Sequence, residues 1–126
     1  MLLNLSNHPY ATWQDVQKAE AEARFGAVVD FPFPAVDPAW SSEAVSDLAK
    51  SVVEAVKPMF PSAIHVMGEM TLTFTLVALF QAAGIACVAS TSERLVTETE
   101  NGKKVVTFKF TQFRSYPDLF TTFNKV

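Results

Sequence analysis

The residues of this chain equipped for chemistry gather in three short polar segments set among apolar runs. Ser6-Asn7-His8-Pro9 forms a polar turn after Leu2-Leu3-Asn4-Leu5. A histidine in such a turn can act as general acid or base near neutral pH, or simply face solvent. Gly68-Glu69-Met70-Thr71 joins the apolar run Ala63–Met67 to a helical pattern. Gly68 lets the backbone turn without a Cβ in the way. Unpaired amides at a helix start then favour an anion, to which Thr71 or Thr73 adds a hydroxyl. The plainer reading makes Gly68 a tight turn and Thr71 a helix cap, and Glu69 opposes a phosphate unless it points away. Ser90-Thr91-Ser92-Glu93-Arg94 is the third segment. Its arginine suits bidentate contact with phosphate, or a surface pairing with a carboxylate.

Several chemistries are disfavoured by the same inventory. His8, His65 and the lone Cys87 do not make a metal-ligand spacing, so no metal site and no cofactor are expected. His65 and Cys87 both fall inside apolar runs and read as core residues. G-x-G-x-x-G, the Walker loop and the nucleophile elbow are all missing, which disfavours ordinary dinucleotide, nucleoside triphosphate and serine-triad sites.

These segments need a frame. At 126 residues, with 49% hydrophobic and 18% charged residues, the chain suits one domain with its own core. Short apolar runs at 2–5, 27–31, 63–67 and 85–89 read as strands. Helical patterns fill the spaces: Thr12, taken as a cap, to Phe25; Ser42 to Pro58; and Met70 to Ala83. Strict alternation of strand and helix predicts four parallel strands in the order 2-1-3-4, an α/β, Rossmann-like, three-layer domain. Asn101-Gly102 between β-branched and aromatic runs predicts an antiparallel hairpin at the strand-4 edge. Ligands of such sheets bind beyond the strand carboxyl ends, where strand order reverses. That places Ser6-Asn7-His8 beside Gly68–Thr71, with Ser90–Arg94 expected as a turn leaving strand 4. Leu119, Phe120 and Phe123 suggest a packed tail.

Net charge of −3 argues against a general duplex-DNA binder. Residues 101–126 nevertheless carry five cations (Lys103, Lys104, Lys109, Arg114, Lys125) against Asp118 alone. That is either a solvated hairpin or a seat for an anion. No segment reads as a signal peptide or a bilayer span, so a cytoplasmic location and no membrane partner are expected.

Taken together, Leu3–His8, His65–Phe74, and Ser90–Arg94 with Phe110-Thr111-Gln112-Phe113-Arg114 resemble small stand-alone proteins of type III CRISPR loci. These are the CARF-like ring nucleases and cyclic-oligoadenylate binders of antiviral defence. The resemblance implies a homodimer with a twofold pocket for a cyclic RNA second messenger, cleaved without metal in some relatives. It puts Ser6, Asn7, Thr71, Ser90, Thr91 and Arg94 on the ligand-facing loops, and Gly68 joins them through the turn at the helix start. Ring opening would have Arg94 or that helix start stabilise the phosphorane and His8 supply the proton. Only Gly68-Glu69-Met70-Thr71 stands where larger members often carry a Gly-Gly-Thr loop, and no effector domain is fused. A signal remover or a sponge therefore fits better than an effector. An adaptor using exposed Phe108, Phe110, Phe113 and Phe120 is the competing class.

Overall fold

A computed structural model of the chain describes residues 1–122. The elements in order are β1 (Leu2–Ser6), α1 (Asp15–Phe25), β2 (Val28–Pro32), α2 (Ser42–Val56), β3 (Ala63–Met67), α3 (Met70–Ala82), β4 (Cys87–Glu98), β5 (Lys104–Ser115) and α4 (Leu119–Thr122). They build an α/β domain around one mixed sheet in the order β2-β1-β3-β4-β5. The first four strands are parallel, and β5 runs antiparallel to β4.

The two-residue period of the strands sorts side chains between the faces. Leu3, Leu5, Ile64, Val66 and Cys87 point to one face, where α2 and α3 cover them. Val45, Ala49, Val52, Val53 and Val56 recur at helical spacing and form the buried stripe of α2. Leu72, Leu76, Val77 and Phe80 do the same for α3. The opposite face carries Leu2, Ala63, Val88, Phe110 and Phe113, packed under Trp13 and Ala21 at α1. Cys87 is buried, and that burial pushes its thiol up to about 12.

Three local expectations change. Ser90–Arg94 is not a turn: β4 continues unbroken to Glu98, so the expected hairpin is the outer part of β4 paired with β5. No Gly or Pro interrupts Cys87–Glu98, and β5 supplies every ladder partner that a turn would have to replace. Thr12 does not cap α1. It ends a short 3₁₀ turn, its hydroxyl donates to the Pro9 carbonyl, and α1 starts at Asp15. Thr71 does not cap α3 either, because Glu69 occupies that position.

Gly102 supports the hairpin bend with φ of 73°. The Gly102 amide donates to Thr99 O and the Thr99 amide to Lys103 O, so the loop has three residues with a left-handed glycine last. Beyond Ser92 and Phe110 the two strands form a ribbon with Leu95, Val96, Val105, Val106 and Phe108 exposed. Phe110 and Phe113 are buried, so the four phenylalanines considered for an adaptor surface do not form one exposed patch. Leu119 is half-buried and its amide donates to Gln81 Oε1. Phe123 and Lys125 lie outside the described residues. Among the described residues no helix is long and apolar enough to cross a membrane.

Candidate functional site

Parallel register sets Asp30, Asn4 and His65 side by side across β2, β1 and β3. All three project toward the α1 face, and Ser90 joins them from β4. The result is an unbroken chain of hydrogen bonds. Asn4 Nδ2 donates to Asp30 Oδ1 at 2.9 Å and to the His8 carbonyl at 2.8 Å. Asn4 Oδ1 lies 2.9 Å from His65 Nδ1 and accepts from Ser6 Oγ at 2.7 Å. His65 Nε2 lies 2.6 Å from Ser90 Oγ, which also accepts from Gln17 Nε2 at 3.1 Å.

The partners fix the direction of each proton. A carbonyl and a carboxylate accept and cannot donate, so the amide nitrogen of Asn4 faces them. Its oxygen must then face His65, and His65 carries its proton on Nδ1. Nε2 is left with a lone pair directed at the Ser90 hydroxyl, which donates to it. His65 is 1% exposed, and burial, reinforced by the charge of His8, lowers its pKa to about 4. The imidazole is therefore neutral and accepting at ordinary pH. Trp13 and Phe113 pack edge-on against the ring at 5.3 and 5.7 Å between centroids and hold its plane.

A cavity of about 420 Å³ opens over this pair, beyond the carboxyl ends of β1 and β3. Its wall is made of His8, Thr12, Trp13, Gln14, Gln17, His65, Met67, Ser90, Ser92 and Phe108. Gln14 anchors the far side: it donates to the Phe108 carbonyl at 2.7 Å and accepts from the Phe110 amide at 3.0 Å. This pairs an otherwise open edge of β5 and ties the start of α1 to the ribbon. Ser90, Ser92 and Arg94 alternate onto one face of β4, and Arg94 stands opposite Phe108 in the ladder. Arg94 thus follows the cavity wall outward along the ribbon.

The eight residues singled out from the sequence divide among several places. His8 and Ser90 share the cavity, with Arg94 on the adjoining ribbon face. Ser6 and Asn7 line a neighbouring hollow with Asn4, Pro9 and Asp30, and Ser6 is tied to the buried chain through Asn4. Thr91 points to the other face, its hydroxyl bonded to the backbone of Gln112. Thr71 lines a separate hollow between α2 and α3.

The α3 start offers an anion little. The Glu69 carboxylate accepts from the Leu72 amide at 2.8 Å and the Thr71 amide at 3.0 Å. These bonds, with the Thr71 hydroxyl, hold its carboxyl below the usual range. Gly68 makes room for a neighbour: a Cβ there would stand 2.5 Å from the Phe33 ring, which packs over it. Thr73 Oγ1 is buried with no hydrogen-bond partner.

Asn4, Gln17 and the orientation of His65 escaped the sequence reading. Asn4 carried a usable signal, because an asparagine inside Leu-Leu-Asn-Leu-Ser must be bonded once it is buried. His65 was read as buried, which it is, but its Ser90 partner lies 25 residues away and no spacing announces the pair. Among the described residues no three His, Cys, Asp or Glu side chains converge on a possible metal position.

No curated protein and no solved structure matches the chain. A family model does match, over residues 1–114, a span that takes in Asp30, Asn4, His65, Ser90 and the whole cavity wall. The chain belongs to the Uncharacterized protein MJ1673 family.

Proposed function

We propose that this protein is a cytoplasmic homodimer that binds cyclic oligoadenylate in the cavity over β1, β3 and β4 and opens the ring without a metal, ending type III CRISPR signalling. In this reading the domain is a Rossmann-like, three-layer unit of the CARF type. The observation that carries it is the meeting of His8, Ser90 and an exposed aromatic, Phe108, around one cavity beyond the strand ends, with Arg94 on the same ribbon face. Phe108 is 59% exposed and offers a surface on which a base can stack.

The chemistry asks for positioning and charge stabilisation. A ribose 2′-hydroxyl attacks the adjacent phosphorus to form a 2′,3′-cyclic phosphate and loses its proton to water. The bond to the 5′-oxygen breaks, and the departing oxygen takes a proton from His8, which regains one from solvent. Arg94 meets the charge on the phosphorane oxygens. A ring of several nucleotides is larger than one 420 Å³ cavity. The exposed ribbon residues Leu95, Val96, Val105 and Val106 supply a surface through which a second copy completes the pocket. An isolated two-stranded ribbon is marginal in water, which favours its being covered. Light scattering should give twice 13.9 kDa, and a monomer mass at micromolar concentration would remove the dimer.

The decisive experiment incubates the protein with EDTA and a panel of cyclic oligoadenylates and separates the products. Linear products at undiminished rate are expected. Replacing Arg94 by Ala should slow ring opening by roughly 10²–10³-fold while affinity falls much less. Unchanged affinity and turnover would remove Arg94 from the site. A second reading, sequestration without cleavage, is favoured by the lack of any Lys or Arg among the residues lining the cavity itself. Tight binding with the ring recovered intact would establish it. Neither binding nor cleavage would overturn both.

A further inference from the structure

We infer that Ser90 is a nucleophile activated by His65, and that the cavity it faces takes a small uncharged ester as a covalent substrate. This goes beyond the cyclic-nucleotide reading and does not depend on it.

Ser90 Oγ donates at 2.6 Å to a nitrogen whose ring is held at its other end by Asn4 Oδ1 at 2.9 Å. Nucleophile, base and orienting group therefore stand in the order that activates a hydroxyl. The orienting amide is itself held by the Asp30 carboxylate at 2.9 Å, so the imidazole has no second tautomer available to it. A buried serine–histidine contact that served only to satisfy polar groups would have no need of a solvent path. This one forms part of the wall of an open cavity, on which Ser90 is half-buried and accessible.

The wall also limits the substrate. It contains no Lys, Arg, Asp or Glu, and apart from His8 and the buried His65 no side chain there can carry a charge, which suits an uncharged substrate. Trp13, Met67 and Phe108 supply apolar contact, and Gln14 and Gln17 supply amides. Gln17 Nε2 gives one hydrogen to Ser90 and keeps a second beside the attacked centre.

Ser90 Oγ bonds to the carbonyl carbon while its proton passes to His65 Nε2. The alkoxide leaves with the electron pair of the broken ester bond and takes that proton. Water then attacks the acyl-serine, gives a proton to Nε2, and Ser90 Oγ recovers it as the acid departs.

A fluorophosphonate probe tests this on the whole protein, since attack on its phosphorus expels fluoride and leaves a stable adduct. Intact-mass measurement and peptide mapping should place one adduct on Ser90 and none on Ser92, which lines the same cavity without a histidine partner. Ser90→Ala should abolish labelling. His65→Gln should slow it about 10²-fold or more. The denatured parent chain, which keeps Ser90 and loses the adjacent imidazole, gives the same comparison should that variant not fold. Absence of an adduct, equal labelling of Ser92, or labelling of the denatured chain at the native rate would each overturn the assignment. Failure with cyclic oligoadenylate in the EDTA experiment would leave this result standing, and the reverse holds too.

Discussion

On the α2/α3 side of the sheet, Leu3, Leu5, Ile64, Val66 and Cys87 meet Val52, Val56, Leu72, Leu76 and Phe80 in an apolar layer. On the α1 side, Leu2, Ala63 and Val88 share the surface with Asn4, Ser6 and His65, the three buried polar residues among those described. Both sets come from the same strands, one residue apart. The first face is held by contacts that have no direction, so neighbours can adjust around a change. The second is held by hydrogen bonds that tolerate no missing member, because each lost partner leaves a polar group buried. One face supplies stability, and the other supplies fixed protons, at a cavity covered by one helix in place of two.

The largest test of this contrast is on the apolar face. Phe80 is fully buried in α3, and Phe80→Ala should cost about 3–5 kcal/mol in urea unfolding. The cavity on the other face should keep its labelling or binding in the fraction that remains folded. Simultaneous loss of both in the folded fraction would show that the faces are not separable.

Acid should single out the polar face. Unfolded His65 takes a proton as pH drops through its ordinary value near 6.5, whereas folded His65 stays neutral until about pH 4. Its burial costs nothing extra above pH 6.5, and stability then falls by about 3 kcal/mol on reaching pH 4. Urea midpoints of the parent and of His65→Gln, taken at pH 7 and pH 4.5, isolate this share because the carboxylates are common to both. Equal losses in the two proteins would show that His65 does not respond as its surroundings require.

The smallest effect lies where the two faces meet a loop. Gly68→Ala puts a methyl against the Phe33 ring, which must swing from its partly buried seat. Thermal unfolding should report a loss of about 1 kcal/mol. Unchanged stability would mean that Phe33 contributes nothing by lying there.

Periodicity carried the reading of the fold a long way. Runs bounded by Gly and Pro placed β1, β2, β3, α2 and α3 within two residues, and alternation of strand and helix led to the order β2-β1-β3-β4. The middle of β4 was misread because Ser90-Thr91-Ser92-Glu93-Arg94 has a turn-like composition. Only pairing with β5, which begins at Lys104, makes it a strand. The expected anion seat at α3 was upset by one residue, since Glu69 folds its own carboxylate onto the amides a ligand would need. The polar face was legible residue by residue but not as a chain. Asn4, Asp30, His65 and Ser90 come from four strands, and only sheet register decides which of them touch.

The central place of β1 in the sheet has a consequence for how the protein is made. Its partner across β3 lies 61 residues further along the chain. At the pace of a ribosome, about 5–20 residues per second, roughly 3–12 s pass before that partner has been synthesised. For that interval Leu2-Leu3-Asn4-Leu5 has β2 at most on one edge and no neighbour on the other. This fully buried strand is thus, during translation, the one that waits longest for its second sheet neighbour.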